Sequence, residues 1–382
     1  METAKQPSLR FKARGAWEEF RMKDLLTRAS NPVKVQADES YTQIGIRSHG
    51  KGIFHKEPVS GTELGNKRVF WVVENALTVN IVFAWEQAIA ITSDKEKGMI
   101  ASHRFPMYLA DETQADIHFL LNLLLTPKGR MLLELASPGG AGRNKTLGQA
   151  EFEKIKITIP SLPEQQKIAS FFIAIDRKLT LLRRKKEALE RYKRGAMQTI
   201  FSQRVRFRDE EGKEFEEWEK RAIENIAPLQ RGFDLPVTAI KEGRYPVVFS
   251  NGILKYHLDY KVQGPGVITG RSGTIGKVTF VEQNFWPHNT SLWVTDFCGN
   301  HPKFIYYLYL HLDLSRFGGG SGVPTLNRND VHVQKTSIPT NKLEQSKISA
   351  FFSAIDAKIA HAQAQLEKLT EWKKGLLQKM FV

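Results

Sequence analysis

The stretch GRSGTIGKV at 270–278 combines glycines with a lysine, the chemistry of a loop that cradles phosphate on backbone N–H groups. Its spacing does not deliver that chemistry. A phosphate loop of this type needs a glycine five positions ahead of the Gly-Lys pair, where Arg271 stands, and a hydroxyl after the lysine, where Val278 stands. Gly270, Gly273 and Gly276 also miss the G-x-G-x-x-G spacing. The pattern fits a tight β-turn carrying Arg271 and Ser272, and an arginine on such a turn can reach a guanine edge or a phosphate. Other catalytic constellations fail in the same way. The Asn31-Pro32 pair runs on into Val33-Lys34, so the Asn-Pro-Pro-Tyr-type loop of amino-methyltransferases is missing. Glu371-Trp372-Lys373 has the nuclease-like E-x-K form, yet it lies on a helical pattern with no strand-borne acid before it. The ten histidines form no H-E-x-x-H or H-x-x-x-H pair, and the single cysteine, Cys298, excludes a disulfide framework and a cysteine zinc site. Nothing in the chain argues for catalysis, a bound cofactor or a metal.

What remains is recognition. Lys and Arg outnumber Asp and Glu by 56 to 41, which implies an acidic partner, nucleic acid above all. The excess is concentrated: residues 161–204 hold 11 bases to 4 acids and residues 341–382 hold 7 to 4. Polar and basic residues on irregular segments flanked by strand patterns are the candidates for DNA contact. They fall into groups. In the first half of the chain these are Arg47, His49 and Lys51, then His103 and Arg104, then Arg143, Asn144 and Lys145. In the second half they are Asn251, Lys255, Tyr256 and His257, then Arg271 and Ser272, then His288 and Asn289, then Asn327 and Arg328. A solvated loop residue is the competing reading for each member, and a solvated helix face for the basic run Arg183-Arg184-Lys185-Lys186.

The elements that must position these groups come as a duplication. PEQQKIASFFIAID from Pro163 returns as EQSKISAFFSAID from Glu344, and at an offset of 180 the match continues through Glu187, Leu189, Lys193, Gly195, Gln198 and Phe201. Each copy runs about 40 residues without proline after its first turn, which predicts a helix about 60 Å long. Apolar residues alternate at spacings of four and three: Ile168, Phe172, Ile175, Leu179, Leu182 and Leu189 in one copy, Ile348, Phe352, Ile355, Ile359, Leu366 and Leu369 in the other. That is a coiled-coil seam, interrupted by Lys186, Lys193 and Lys373 toward the C-terminal halves. The globular stretches also match, opening with LRF and VRF, each followed by a Trp-Glu, and closing with ITIP and TSIP. Ile117 to Glu134 reads as two short helices broken at Pro127, and VITG to GKVTFV as a glycine-turned hairpin. The expected architecture is α+β: two similar globular domains separated by a pair of long antiparallel coiled-coil helices, with a pseudo-two-fold internal repeat. The expected boundaries are 1–160, 161–204, 205–340 and 341–382.

These features resemble the specificity subunit of a type I restriction–modification enzyme. The residues that carry the resemblance are the two exits, ITIPSLPEQQKIASFFIAID and TSIPTNKLEQSKISAFFSAID, the helix ends KRGAMQTIF and KKGLLQKMF, the hairpin at 266–278 and VPTLNRNDV at 323–331. Two departures stand out. Asn341-Lys342-Leu343 replaces Ser161-Leu162-Pro163, and the first globule has no G-R-x-G-x-I-G hairpin. The resemblance implies two target-recognition domains that each read half of a bipartite double-stranded DNA site, with the helices setting the gap. It also implies modification subunits that bind S-adenosylmethionine and pack on the helices, restriction (translocase–nuclease) subunits that join them, and no activity in this chain alone. The alternatives are a DNA methyltransferase with its own cofactor site, against which the missing catalytic loop counts, and a coiled-coil adaptor without DNA contact. With no apolar run of membrane-spanning length and one cysteine, a cytoplasmic protein without a membrane anchor is expected.

Overall fold

The computed structural model describes residues 7–11, 15–139, 145–319 and 322–381. The chain divides into two compact units, one of Met1–Leu182 with Gln365–Val382 and the other of Arg183–Ala364. The boundaries fall inside the two long helices, Leu162–Phe201 and Lys342–Met380, rather than at their ends. Each unit therefore takes the N-terminal half of one helix and the C-terminal half of the other. Among the described residues no helix is long and apolar enough to cross a membrane.

The first unit is built on an antiparallel sheet in the order Leu26–Ala29, Met107–Ala110, Leu77–Val79, Ile89–Ile91. The second unit has an antiparallel sheet in the order Leu229–Arg231, Ser291–Val294, Gly266–Gly270, Val278–Val281. Numbered along the chain, both run 1-4-2-3. In each unit a second strand pair brings the entry of the domain to its exit. Glu18–Arg21 lies antiparallel to Lys156–Ile159, and Glu219–Ala222 lies antiparallel to Lys335–Ile338. The exit strand then runs straight into the long helix. In the first unit the helical stretch does break at Pro127, with Thr126 capping the second piece by accepting from Gly129 N.

Polar side chains near the start of each long helix tie it to its globule, and they do so in matching sets. Arg10 grips Glu164 with two hydrogen bonds of 3.0 and 2.6 Å, and Arg206 grips Glu344 with two of 3.2 and 3.0 Å. Both glutamates are buried, so the guanidinium must supply the donors that water no longer can. The neighbouring glutamine is buried too. Gln165 accepts from Asp116 N and donates to the carbonyls of Gln114 and Pro160. Gln345 accepts from His301 N and donates to Asn300 Oδ1 and to Pro339 O. Asp116 and His301 are the N-cap residues of Ile117–Leu124 and Pro302–Leu312, so each glutamine fixes a short helix against a long one.

Within each unit the two helix halves run antiparallel and share a core. In the first unit Ile168, Phe172, Ile175 and Leu179 are buried together with Leu366, Leu376, Met380 and Phe381 from the other helix. In the second unit Ile348, Phe352 and Ile355 are buried together with Met197, Ile200 and Phe201. Leu182, Leu189, Ile359 and Leu369 are half-buried along the seam. The seam lysines have a use. Lys373 reaches Asp176 at 2.6 Å in the first unit, and Lys193 reaches Asp356 at 2.6 Å in the second. Lys186 instead pairs with Glu190 one turn on, at 3.4 Å.

Phe381 lies 5.2 Å from Phe119 and 6.0 Å from Phe172, while Phe201 stacks on His311 at 4.6 Å and faces Phe304 at 5.9 Å. Phe381→Ala is therefore expected to cost about 3–5 kcal/mol, read in the first unit although the residue ends the second repeat. Phe201→Ala should do the same to the second unit. Hydrogen exchange resolved by segment checks this, and loss of protection in the opposite unit would overturn it.

Burial pushes His288, His301, His311 and His332, all in the second unit, below the usual histidine value of 6.5. Protonation then favours the unfolded chain first, so this contribution to stability is complete well above pH 6.5 and is lost as the pH falls below it. Protection of the second unit against exchange should drop from pH 7.5 to 5.5, and a flat profile there would contradict the assignment.

Candidate nucleic-acid interface

In the second unit the turn at 270–277 is clamped from two sides. Arg271 N and Ser272 N donate to Thr290 O at 2.9 and 3.1 Å, while Leu326 N donates to Arg271 O at 2.7 Å and Gly273 N to Pro324 O at 3.1 Å. Gly270 has to be glycine, since a Cβ there would lie 1.9 Å from Thr274 O. Lys277, the lysine of the apparent phosphate loop, is spent on Asn251 O at 2.5 Å. The clamp gathers residues far apart in sequence around an open concavity of ≈ 650 Å³, lined by Gln230, Arg231, Asp234, Arg271, Thr325, Asn327 and Arg328 among others. Arg231 pairs with Asp234 at 2.8 Å, and Asn289 donates its side-chain amide to the same carboxylate. That amide bond, with the arginine's charge beside it, holds the Asp234 carboxyl below the usual range. No carboxylate pairs with Arg271 or Arg328 among the described residues. Asn327 caps the short helix Arg328–His332 by accepting from Asn329 N at 3.0 Å, which leaves Arg328 on its exposed first turn.

Two histidines expected at this surface are used for structure. His288 places Nδ1 2.9 Å from Thr290 Oγ1 and Nε2 3.2 Å from Leu235 O. A carbonyl can only accept, so Nε2 carries the hydrogen, and Thr290 N donates to Nδ1 at 3.3 Å, so Nδ1 is an acceptor and the ring is neutral. His257 is buried, with Nδ1 against the Lys241 backbone at 3.0 and 3.1 Å and its ring edge-on to Trp286. It sets the hairpin and is out of reach of a surface ligand. Its neighbours Asn251, Lys255 and Tyr256 are exposed on the hairpin of Tyr245–Phe249 and Gly252–His257.

The first unit has its own concavity, of ≈ 420 Å³, lined by Gln43, Lys56, Lys67, Asn80, Ser102, His103 and Arg104 among others. Among the described residues its lining contains three cationic side chains and no carboxylate. Of the residues singled out in the sequence, His103 and Arg104 line it. Arg47, His49 and Lys51 lie apart, on the turn joining Ile44–Ile46 to Ile53–His55. That turn is held by His49 N to Glu86 O at 2.7 Å and Gly50 N to Gln87 O at 3.0 Å, and Arg47 rests 4.8 Å over the Phe54 ring. Lys145 is neutralised by Glu134 at 2.5 Å, and Arg143 and Asn144 lie outside the described residues. No group of three or more His, Cys, Asp or Glu among the described residues is placed to hold a metal.

The sequence reading did not single out Gln230, Arg231 and Asp234, which line one concavity, or Gln43, Lys56 and Lys67, which line the other. One signal was available for the first set. Gly232 sits inside LQRGFD, where a Cβ would lie 2.2 Å from His288 O, so this segment presses against the 287–289 backbone. Lys56 and Lys67 carry no such mark.

Two sheets of one topology, each with a cation-lined concavity and each finished by the same pair of long helices, define a duplicated nucleic-acid-recognition scaffold. The type I restriction modification DNA specificity domain matches the chain twice, over residues 15–191 and 215–371, and the chain belongs to that family. It is accordingly a DNA-recognition component of a restriction–modification system and not itself an enzyme. The fold is similar to that of the type I restriction–modification system S subunit from M. genitalium, with a TM-score of 0.67 at 14% identity over 99% of each chain. A chain from a structure of complex assembly and conformational transition in the type I R-M system is also similar, with a TM-score of 0.57 at 15% identity over 97% of this chain and 99% of that one.

Arg271→Ala and Arg328→Ala should each weaken duplex binding. If the side chain meets a phosphate, the slope of log affinity against log salt falls by about one, and all sequences weaken alike. If it meets a base edge, one position of the site loses preference. Titrations at several salt concentrations check this, and unchanged affinity in both variants would remove this concavity from the interface.

Proposed function

We propose that the chain reads a bipartite, asymmetric site on double-stranded DNA, one half per unit, with the paired long helices setting the number of unspecified base pairs between the halves. What supports this most is the occurrence of one sheet topology and one set of helix anchors twice in a single chain, under two concavities of unlike lining. Two unlike readers on one polypeptide select two unlike half-sites at one spacing and one rotational phase. In this reading residues 1–160 and 205–340 are the target-recognition domains, and 161–204 and 341–382 are the spacer helices. The first domain touches DNA through His103, Arg104, Lys56 and Lys67, with Arg47, His49 and Lys51 on the adjoining turn. The second does so through Arg271, Ser272, Asn289, Asn327 and Arg328, with Asn251, Lys255 and Tyr256 on the hairpin. Phosphate contacts give salt-dependent affinity and base edges give selectivity.

The same reading extends to partners. Modification subunits carrying S-adenosylmethionine pack on the helices and methylate adenine, restriction subunits join them, and the assembly works in the cytoplasm. The excess of cations on 161–204 serves that docking.

The spacer role is tested by shortening both helices together. Because Asp176 faces Lys373 and Lys193 faces Asp356, removing 181–187 along with the facing 362–368 keeps both ion pairs and the heptad phase. The rod shortens by about 10 Å, close to three base pairs of duplex. Mapping methylated adenines in the host genome should then show a changed gap with both half-sites unchanged. New half-site sequences, or an unaltered gap, would defeat the proposal.

A further inference from the structure

We propose that Asp234 is a specificity-determining residue of the second unit, accepting a hydrogen bond from the exocyclic amino group of a cytosine or an adenine in the major groove. The inference rests on the DNA-reading role of the concavity described above. Among the described residues Asp234 is the one carboxylate in a lining that also holds Arg231, Arg271 and Arg328. A carboxylate at that place works against phosphate binding, so general affinity for DNA does not account for it. Its two oxygens are used differently. Arg231 Nη2 and the Asn289 amide both donate to Oδ1, and no protein donor reaches Oδ2 among the described residues. The side chain is 64% exposed, so that second oxygen is open to a ligand.

The backbone beneath it is fixed. Gly232 N donates to Ser291 O at 3.0 Å and Phe233 N to Pro287 O at 2.8 Å, and Gly232 packs where no side chain fits. One oxygen anchored by two donors and one left open, on a rigid segment, is a preorganised acceptor. Among base edges in the major groove, amino groups are the donors: N4 of cytosine and N6 of adenine. Guanine and thymine present acceptors at the corresponding positions, and a carboxylate repels them. Arg271 and Arg328, without carboxylate partners, then supply the attraction to the DNA backbone that Asp234 does not.

Asp234→Asn separates this role from that of a strut. Asparagine can still accept from Arg231 and Asn289 on one atom, while the open acceptor becomes a donor. The full-length chain, co-purified with its host's modification subunits, is presented with a library of duplexes randomised across both half-sites. In D234N one base pair of one half-site should lose its preference by roughly five- to hundredfold. All other positions should keep theirs, and affinity for unrelated duplex should be no weaker than in the parent. The identity of the base lost tells cytosine from adenine. D234A should lose selectivity at the same position. A strut alone would leave D234N like the parent and weaken every position of that half-site in D234A, and either of those outcomes would overturn the assignment. Were the parent protein to select no bipartite sequence at all, the DNA-reading function itself would fall, and this inference with it.

Discussion

Neither repeat can close its own core. The first globule needs Leu376, Met380 and Phe381, which belong to the end of the second repeat, and the second needs Met197, Ile200 and Phe201 from the end of the first. A helix of about 40 residues with an apolar stripe cannot hide that stripe on one small domain, and two such helices solve the problem for each other. Burial at roughly 25 cal/mol per Å² makes three large side chains a substantial part of the stability of a unit of this size. The sharing is therefore a thermodynamic requirement as well as a symmetry of the sequence. A chain carrying one repeat would leave an apolar cleft where the other's tail belongs.

Apolar burial alone does not choose how the helices align, since a seam of Ile, Leu and Phe tolerates slippage by a heptad. The charged residues on the seam make that choice. Lys373 with Asp176 and Lys193 with Asp356 form only when the helices run antiparallel in one register, because each lysine lies late in its helix and each aspartate early. Slipping by a heptad would set Lys373 opposite Ala169 or Arg183 and Lys193 opposite Ser349 or Gln363, none of them an acid, so both ion pairs would be lost. The Arg–Glu and Gln anchors do the equivalent at the helix starts. Glu164 and Glu344 are buried with their arginines, and removing either arginine would leave an uncompensated buried charge. These interactions add less to net stability than to the selection of one arrangement.

That division explains what could be read from the sequence. The repeat at an offset of 180, the seam, the break at Pro127 and the hairpin from VITG to GKVTFV all follow from local pattern, and each is present. Lys193 and Lys373 read as weak points because the sequence shows the positions of lysines and not the aspartates opposite them. The concavities were less legible for the same reason. Arg271, Asn327 and Arg328 stood out on glycine-rich or capped turns, but Arg231 and Asp234 acquire meaning only when tertiary hydrogen bonds bring the 230–234 segment beside Asn289. His257, a polar residue on a strand with an exposed face, turned inward to hold Lys241. One residue of register decides such a case, and composition does not show it.

The two units share what builds them and differ in what they offer to a ligand. Sheet order, entry and exit strands, arginine clasp, glutamine anchor and aromatic contacts with the long helix all occur in both, down to Phe11 on Phe171 at 5.6 Å and Phe207 on Phe351 at 5.7 Å. The concavities do not correspond: among the described residues one combines Lys56, Lys67 and Arg104 with no acid, and the other holds three arginines together with Asp234. Lysine is a mobile point charge suited to phosphate, and arginine is a planar fork suited to guanine or to a carboxylate beside it. A scaffold whose stability lies in a shared helix pair leaves its turns free to differ, since changing Asp234 or Lys67 touches none of the interactions that close either core. Duplication under that constraint yields two readers with unlike chemistry on one frame, which is what an asymmetric target requires.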